Sequence, residues 1–240
     1  RDFCLSRGLG DVYKRQVFCD WYHDDLIYKG RRIVNWCPSC TTAIADDEAE
    51  YVDEKGHLWY LRYPLSEPVD GMEYVVVATT RPETMLGDTG VAVSPKDERY
   101  KHLVGKTIDL PIVGRKIQIF ADYYVDSEFG TGCVKTTPAH DPNDYAMGQR
   151  NNLEQINVFD EHAVVVEGYG KFSGMTRDEA REAIVAEFEA LGLLDHVEDH
   201  DHSVMTCYRC HTKLEPWLSE QWFVAVDRLN TFSYTHLTLP

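Results

Sequence analysis

The chain has 240 residues, 43% of them hydrophobic and 12% aromatic, which is enough to close a sizeable core and argues against a disordered chain. A formal net charge of −16 excludes a protein that holds nucleic acid by blanket neutralisation of phosphates, though not a local basic groove on an acidic body. The longest apolar runs, residues 75–78 and 163–166, are too short to span a bilayer, and no charged-then-apolar signal opens the chain; the reading is of a soluble, cytoplasmic protein with no membrane partner.

In chain order, residues 1–16 and 233–240 show neither helical nor strand periodicity and read as a non-native leader and tail. From residue 17, Phe18, Trp21, Tyr22, Leu26 and Ile27 recur at helical spacing and stop at Gly30, and a short strand over 33–36 then delivers Cys37. The stretch AEYVDEKGHLWYLRYPL, 49–65, predicts a hairpin turning at Lys55-Gly56. Strands follow over 74–78, 90–93, 116–120 and 133–136, and a short helix over about 141–151. A longer helix has a capping box from Thr176 and Glu179, an apolar stripe of Ala180, Ile184, Val185, Phe188 and Leu191, and a stop at Gly192. Short β segments broken by Gly, Pro and Asp predict a mainly β, α+β chain: a closed or partly closed barrel with peripheral helices.

Seven cysteines include two tight pairs, Cys37-Pro-Ser-Cys40 and Cys207-Tyr-Arg-Cys210. Each pair puts two thiolates on one knuckle, so the four together suit a tetrahedral ion with no open position, a structural zinc and not a catalytic one. The long separation of the pairs makes sense if the metal clamps the entry and exit of an insertion, a small zinc-ribbon-like module joining its two ends.

Two further clusters do not read as core. In VVVATTRPETMLGDTGVAV, residues 75–93, a β-branched run breaks into Thr79, Thr80, Arg81, Glu83 and Thr84. In DSEFGTGCVKTTPAHDPNDYAMG, residues 126–148, Lys135 supplies a mobile cation, while Asp141 and Asp144 bracket a helix start, where an aspartate is either a cap or a functional carboxylate. His140 reads as structural or as a general base.

With NWCPSC and CYRCHTKLEPWLSEQWFV, these segments together resemble, over roughly residues 17–227, the valyl-tRNA synthetases in the connective peptide that carries their editing domain. The resemblance implies a β-barrel whose cleft hydrolyses mischarged threonyl-tRNA(Val). It implies domains at 17–46 (helix and first zinc knuckle, the edge of the catalytic core), 47–200 (editing domain) and 201–232 (second knuckle and return to the core). Thr79, Thr80 and Arg81 would meet the 3′-terminal adenosine and its ester, and Asp144 the α-amino group of the misattached threonine. Lys135, Asp141 and Phe129 match other pocket residues, with Thr80, Lys135, Asp141 and Asp144 on the catalytic side and Thr79, Arg81, Glu83, Phe129 and His140 on the substrate side.

Cys37, Cys40, Cys207 and Cys210 would hold the zinc. The implied partners are the tRNA(Val) 3′ end and the rest of the synthetase chain. His-Ile-Gly-His-like and Lys-Met-Ser-Lys-Ser-like motifs do not occur in these residues, so ATP and magnesium would belong only to the full-length parent. Two alternatives stay open, a zinc-stabilised module that binds RNA 3′ ends without catalysis and the same domain of an isoleucyl-type synthetase. Trp217, Trp222 and Phe223 are expected either to expose apolar surface or to fold onto the zinc module.

Overall fold

The computed structural model describes residues 2–128 and 130–228, those up to residue 10 by backbone alone. Phe129 and the tail at 233–240 therefore lie outside the described residues. The chain divides into two compact units, one of residues 33–218 and one formed by the two ends.

The larger unit is built on a seven-stranded sheet. Its path runs β4 (Met72–Thr79), β3 (Ala49–Val69), β6 (Thr107–Asp109), β7 (Lys116–Ala121), β5 (Gly90–Val93), β8 (Cys133–Thr136). The last strand comes back alongside β4, so the sheet nearly closes into a barrel, the mainly β architecture expected. All pairs are antiparallel except β5 with β7. Alternation sets the inside: Leu61, Tyr63 and Leu65 of β3, Val75 and Val77 of β4, and Ile117 and Ile119 of β7 are buried. The helix α3 (Arg177–Ala190) adds Ala180, Ile184 and Phe188 to this core. Its capping box forms as expected, but Leu191 lies past the helix as its C-cap and is exposed, so the stripe ends at Phe188.

One strand departs from expectation. Residues 49–69 do not turn at Lys55-Gly56; β3 runs straight through, and its partner there is β9 (Leu194–Cys207), with Gly56 opposite His200. The real turn comes at Asp70-Gly71, where both residues take positive φ, 50° and 83°, the geometry that matches the twist of a two-residue hairpin into β4.

The ladder of β3 with β9 leads from the barrel to a small second core. There the end of β1 (Ile27–Cys37) pairs with β2 (Thr42–Ile44), and Cys37, Ile44, Cys207 and Leu214 are buried together. Trp217 folds onto this side: its ring lies 4.8 Å from that of Trp36, and its Nε1 donates to the Phe159 carbonyl.

In the smaller unit the helix α1 spans Asp2–His23, beginning ahead of the expected residue 17 and ending short of Gly30. Asp25 takes a positive φ of 55° just beyond it and ends it, after which Leu26 and Ile27, expected on the helix, enter the loop and β1. The strand β10 (Glu215–Val224) brings Trp222 beside Phe18 and Tyr22, with ring centroids 5.2 and 6.0 Å away, yet Trp222 stays 48% exposed. Among the described residues no helix is long and apolar enough to cross a bilayer.

Candidate functional site

The opening of the site is made by the interruption of β4. At Arg81 the chain leaves the strand and enters a 3₁₀ turn, Pro82–Gly87, buried throughout. Proline at its first position has no N–H to lose, the Thr79 hydroxyl accepts from the Arg81 N–H at 3.0 Å, and the Thr84 hydroxyl donates to the Arg81 carbonyl at 3.0 Å. The threonines thus satisfy a backbone that has left its ladder.

Beside it, β8 leads through residues 137–141 to the helix α2 (Pro142–Asn151). Asp141 is the N-cap, with Oδ1 accepting from the Asn143 and Asp144 N–H groups at 2.8 and 3.0 Å. Between these elements lies a cavity of about 480 Å³, lined by Thr79, Thr80 and Arg81 from the first, and Lys135, His140, Asp141 and Asp144 from the second. Seven of the nine substrate-side and catalytic positions singled out in the sequence therefore meet at one cavity. Glu83 does not line it, and Phe129 is not described.

Asp144 is the most perturbed carboxylate there. Its Oδ2 accepts from the Thr137 N–H at 2.8 Å, and its other oxygen takes no protein hydrogen bond among the described residues. Burial, and then the neighbouring charge of Asp141, push its pKa up to about 7, against the pull of Lys135.

Lys135 is not a mobile cation. Its side chain is 8% exposed, and Nζ donates to Thr84 Oγ1 (2.8 Å), Asp88 Oδ1 (3.0 Å) and Thr137 Oγ1 (2.6 Å), which uses all three protons. Asp88 also accepts from the Tyr63 hydroxyl at 2.7 Å. Burial nonetheless raises the Asp88 pKa, so this fully desolvated carboxylate exists as an ion only because Lys135, Thr137 and Tyr63 surround it.

Arg81 is equally committed. Its guanidinium reaches the His140 carbonyl at 3.0 Å, Glu83 at 3.3 Å, and Glu215. Glu83 is fully buried behind the turn and takes a two-pronged contact from Arg181, both at 2.9 Å, while Glu215 also takes Arg177 at 3.2 Å. Burial alone would raise Glu215; the charge of Arg81, with His140 and Arg177, overrides it and holds the carboxyl at about 2. His140 is buried with its pKa lowered by desolvation, and Nε2 accepts from the Val158 N–H at 2.8 Å. The ring proton therefore sits on Nδ1, which points at Glu215 from 3.6 Å. With its one free lone pair occupied, the imidazole is an orienting group and not a base.

Asp88, Glu215, Arg177 and Arg181 were not found in the sequence. All four lie in segments whose local pattern is legible, but that pattern marks a helix, a strand or a turn and says nothing of the buried ion pairs these side chains make.

Away from the cavity, the sulfurs of Cys37, Cys40, Cys207 and Cys210 all lie within 4.8 Å of one another. Cys37 and Cys40 stand 3.4 and 3.5 Å from Cys210, close to the spacing of about 3.8 Å that four bonds of about 2.3 Å impose in a tetrahedral thiolate site. The knuckles match: Thr41 and His211, each following the second cysteine of its pair, take positive φ of 48° and 56°. The cluster is one that can hold a metal ion.

The model of class I tRNA synthetases (I, L, M and V) matches residues 3–237. The chain is 57% identical over 227 residues to the valine-tRNA ligase of Petrotoga mobilis, 55% identical to that of Thermotoga maritima over the same length, and 54% identical over 228 residues to that of Geobacter sulfurreducens. Each match covers 95% of this chain and 25–26% of the relative, so the chain spans about a quarter of the length of these relatives.

Proposed function

The chain belongs to the class I tRNA synthetases (I, L, M and V), and from that premise we propose that it is the editing segment of a valine-tRNA ligase, hydrolysing threonine from mischarged tRNA(Val). The observation that carries the reading is the meeting of the Thr79–Arg81 strand end and the Asp141–Asp144 helix start around one cavity. Its volume falls in the range of about 300–1,000 Å³ typical of small-ligand sites.

The need for such a site is physical. A hydrophobic pocket that accepts valine cannot strongly reject an isostere that merely adds a hydroxyl, valine and threonine being the standard illustration of that limit. A polar second site can discriminate, because hydrogen-bonding groups that pair with the threonine hydroxyl are left unpaired by valine.

In this reading Asp144 takes the α-ammonium group. One oxygen is fixed by Thr137, the other is uncommitted, and a carboxylate held near its neutral form by burial gains most from an arriving cation. Lys135 stays paired with Asp88, and its positive charge favours the ionised state of Asp144. Arg81, neutralised by Glu83 and Glu215, acts as a rigid planar wall with the Thr79 and Thr80 hydroxyls beside it, towards the terminal adenosine and its ester. No nucleophile with its own base lines the cavity among the described residues. The attacking group is then a water oriented by these fixed polar groups, and positioning with preorganised charge supplies the acceleration.

The cysteine cluster holds a structural zinc that joins the two ends of the domain. Aminoacylation, with its ATP and magnesium, belongs to the parts of the parent beyond these residues. Replacing Asp144 by Ala is expected to cut kcat/KM for threonyl-tRNA(Val) hydrolysis roughly thirtyfold or more, the loss of one desolvated charge contact. Deacylation at the wild-type rate would remove the assignment, and tRNA-end binding with no turnover in the wild type would favour a zinc-stabilised RNA clamp.

A further inference from the structure

Two rings line the cavity without a hydrogen bond in the network around Asp144: Tyr124, between β7 and β8, close enough to feel the charge of Asp141 and Asp144, and His200, on β9. The setting of His200 follows from a glycine. Gly56 sits in the middle of β3, where glycine costs backbone entropy and packs nothing, and such a residue marks close approach of another group. That group is His202: a Cβ at position 56 would lie 2.3 Å from its Cε1 and 2.8 Å from its Nδ1. The bare strand lets the His202 ring lie over it. Residues two apart on a strand share a face, so His200 and His202 stand side by side, ring centroids 6.1 Å apart and planes within 18°. His200 reaches the cavity and His202 continues the aromatic surface outward along the ladder. Tyr124, 56% exposed, adds a second ring at the cavity.

Charge does not serve an RNA end here. Among the described residues the cations lining the cavity, apart from histidines, are Arg81, tied to Glu83 and Glu215, and Lys135, tied to Asp88. The same lining carries Asp126, Asp141 and Asp144, on a chain of net charge −16. Bases, unlike phosphates, are held by aromatic faces whatever the local sign of charge. We infer that His200, backed by His202 over Gly56, and Tyr124 form a stacking platform for the unpaired nucleotides that precede the terminal adenosine of the bound RNA. This rests on the editing reading of the cavity and extends it from the reacting ester to the strand that delivers it.

The test compares two substrates on the 240-residue chain: threonyl-tRNA(Val), and 3′-O-threonyl-adenosine, which has no preceding nucleotides. Replacing His200 by Ala is expected to raise KM for the tRNA roughly tenfold, as loss of one stacked base does, with kcat and the hydrolysis of threonyl-adenosine unchanged. His200→Phe restores the tRNA KM, and Tyr124→Ala repeats the pattern of His200→Ala. Equal effects on both substrates, no effect on either, or failure of Phe to restore would overturn the platform while leaving the editing assignment standing. A wild-type chain that hydrolyses neither substrate would overturn both.

Discussion

Asp144 is caught between two demands, burial that disfavours its charge and a ligand that needs it. With the folded pKa at about 7 and the ordinary value at 3.8, the native state binds the proton more tightly than the unfolded chain. Stability is therefore highest at low pH with respect to this group and falls as pH rises from about 4 through 7. Binding an ammonium group has the opposite sense, because it requires the ion. KM for the threonyl ester is predicted to rise as pH falls through about 7, a dependence that Asp144→Asn abolishes. The same substitution should raise the melting temperature relative to wild type more at pH 8 than at pH 5; an equal shift at both would mean that Asp144 titrates elsewhere. Asp141 and Asp144 could be found in the sequence because a proline at a helix start marks the cap three residues around it. Glu215 and Asp88 could not, since what makes them matter is Arg81 and Lys135, brought to them only by the fold.

At the scale of elements, the two buried glutamates tie the 3₁₀ turn, α3 and the start of β10 into one block through Arg81, Arg177 and Arg181. Removing one carboxylate leaves partly buried cations unpaired, so Glu215→Gln is predicted to cost up to about 3–5 kcal/mol in denaturant unfolding. Its folded pKa of about 2 lies below the ordinary 4.5, so this contribution is full above about 4.5 and lost as pH falls through 2; an acid transition unaffected by Glu215→Gln would contradict it.

Gly56 gives a sharper test of local packing. Gly56→Ala should destabilise the wild type by displacing the His202 ring, and cost less in a His202→Ala background, where only the His200 carbonyl, 3.3 Å away, still crowds the added Cβ. That glycine is also the source of the false hairpin signal in the sequence. A Lys-Gly pair between alternating residues has the form of a hairpin turn, while the true partner, β9, lies beyond the whole barrel in sequence and leaves no local signal. The strands at 90–93 and 133–136 are legible to the residue because turn and breaker residues bound each, Asp88 and Pro95 around the first and Gly132 and Pro138 around the second.

Across the whole molecule, the cysteine cluster sits where the β3 and β9 ladder begins, with Ala49 opposite Cys207. A metal there closes a loop containing the entire barrel, and its binding energy becomes folding energy. Chelation is predicted to lower the melting temperature and to raise amide exchange first at residues 49–53 and 203–207, with the barrel strands responding later; uniform exchange across the ladder and barrel would place the metal's influence elsewhere. The cluster was legible because four cysteines in two tight pairs have few other uses, whereas the closure of the barrel depends on pairings no local pattern records.

The most direct measurement is the release of threonine from threonyl-tRNA(Val) beside that of valine from valyl-tRNA(Val), by the purified, metal-loaded chain. The account predicts hydrolysis of the threonyl ester with the valyl ester spared. Equal rates on the two esters, or release of neither by a folded sample, would contradict it.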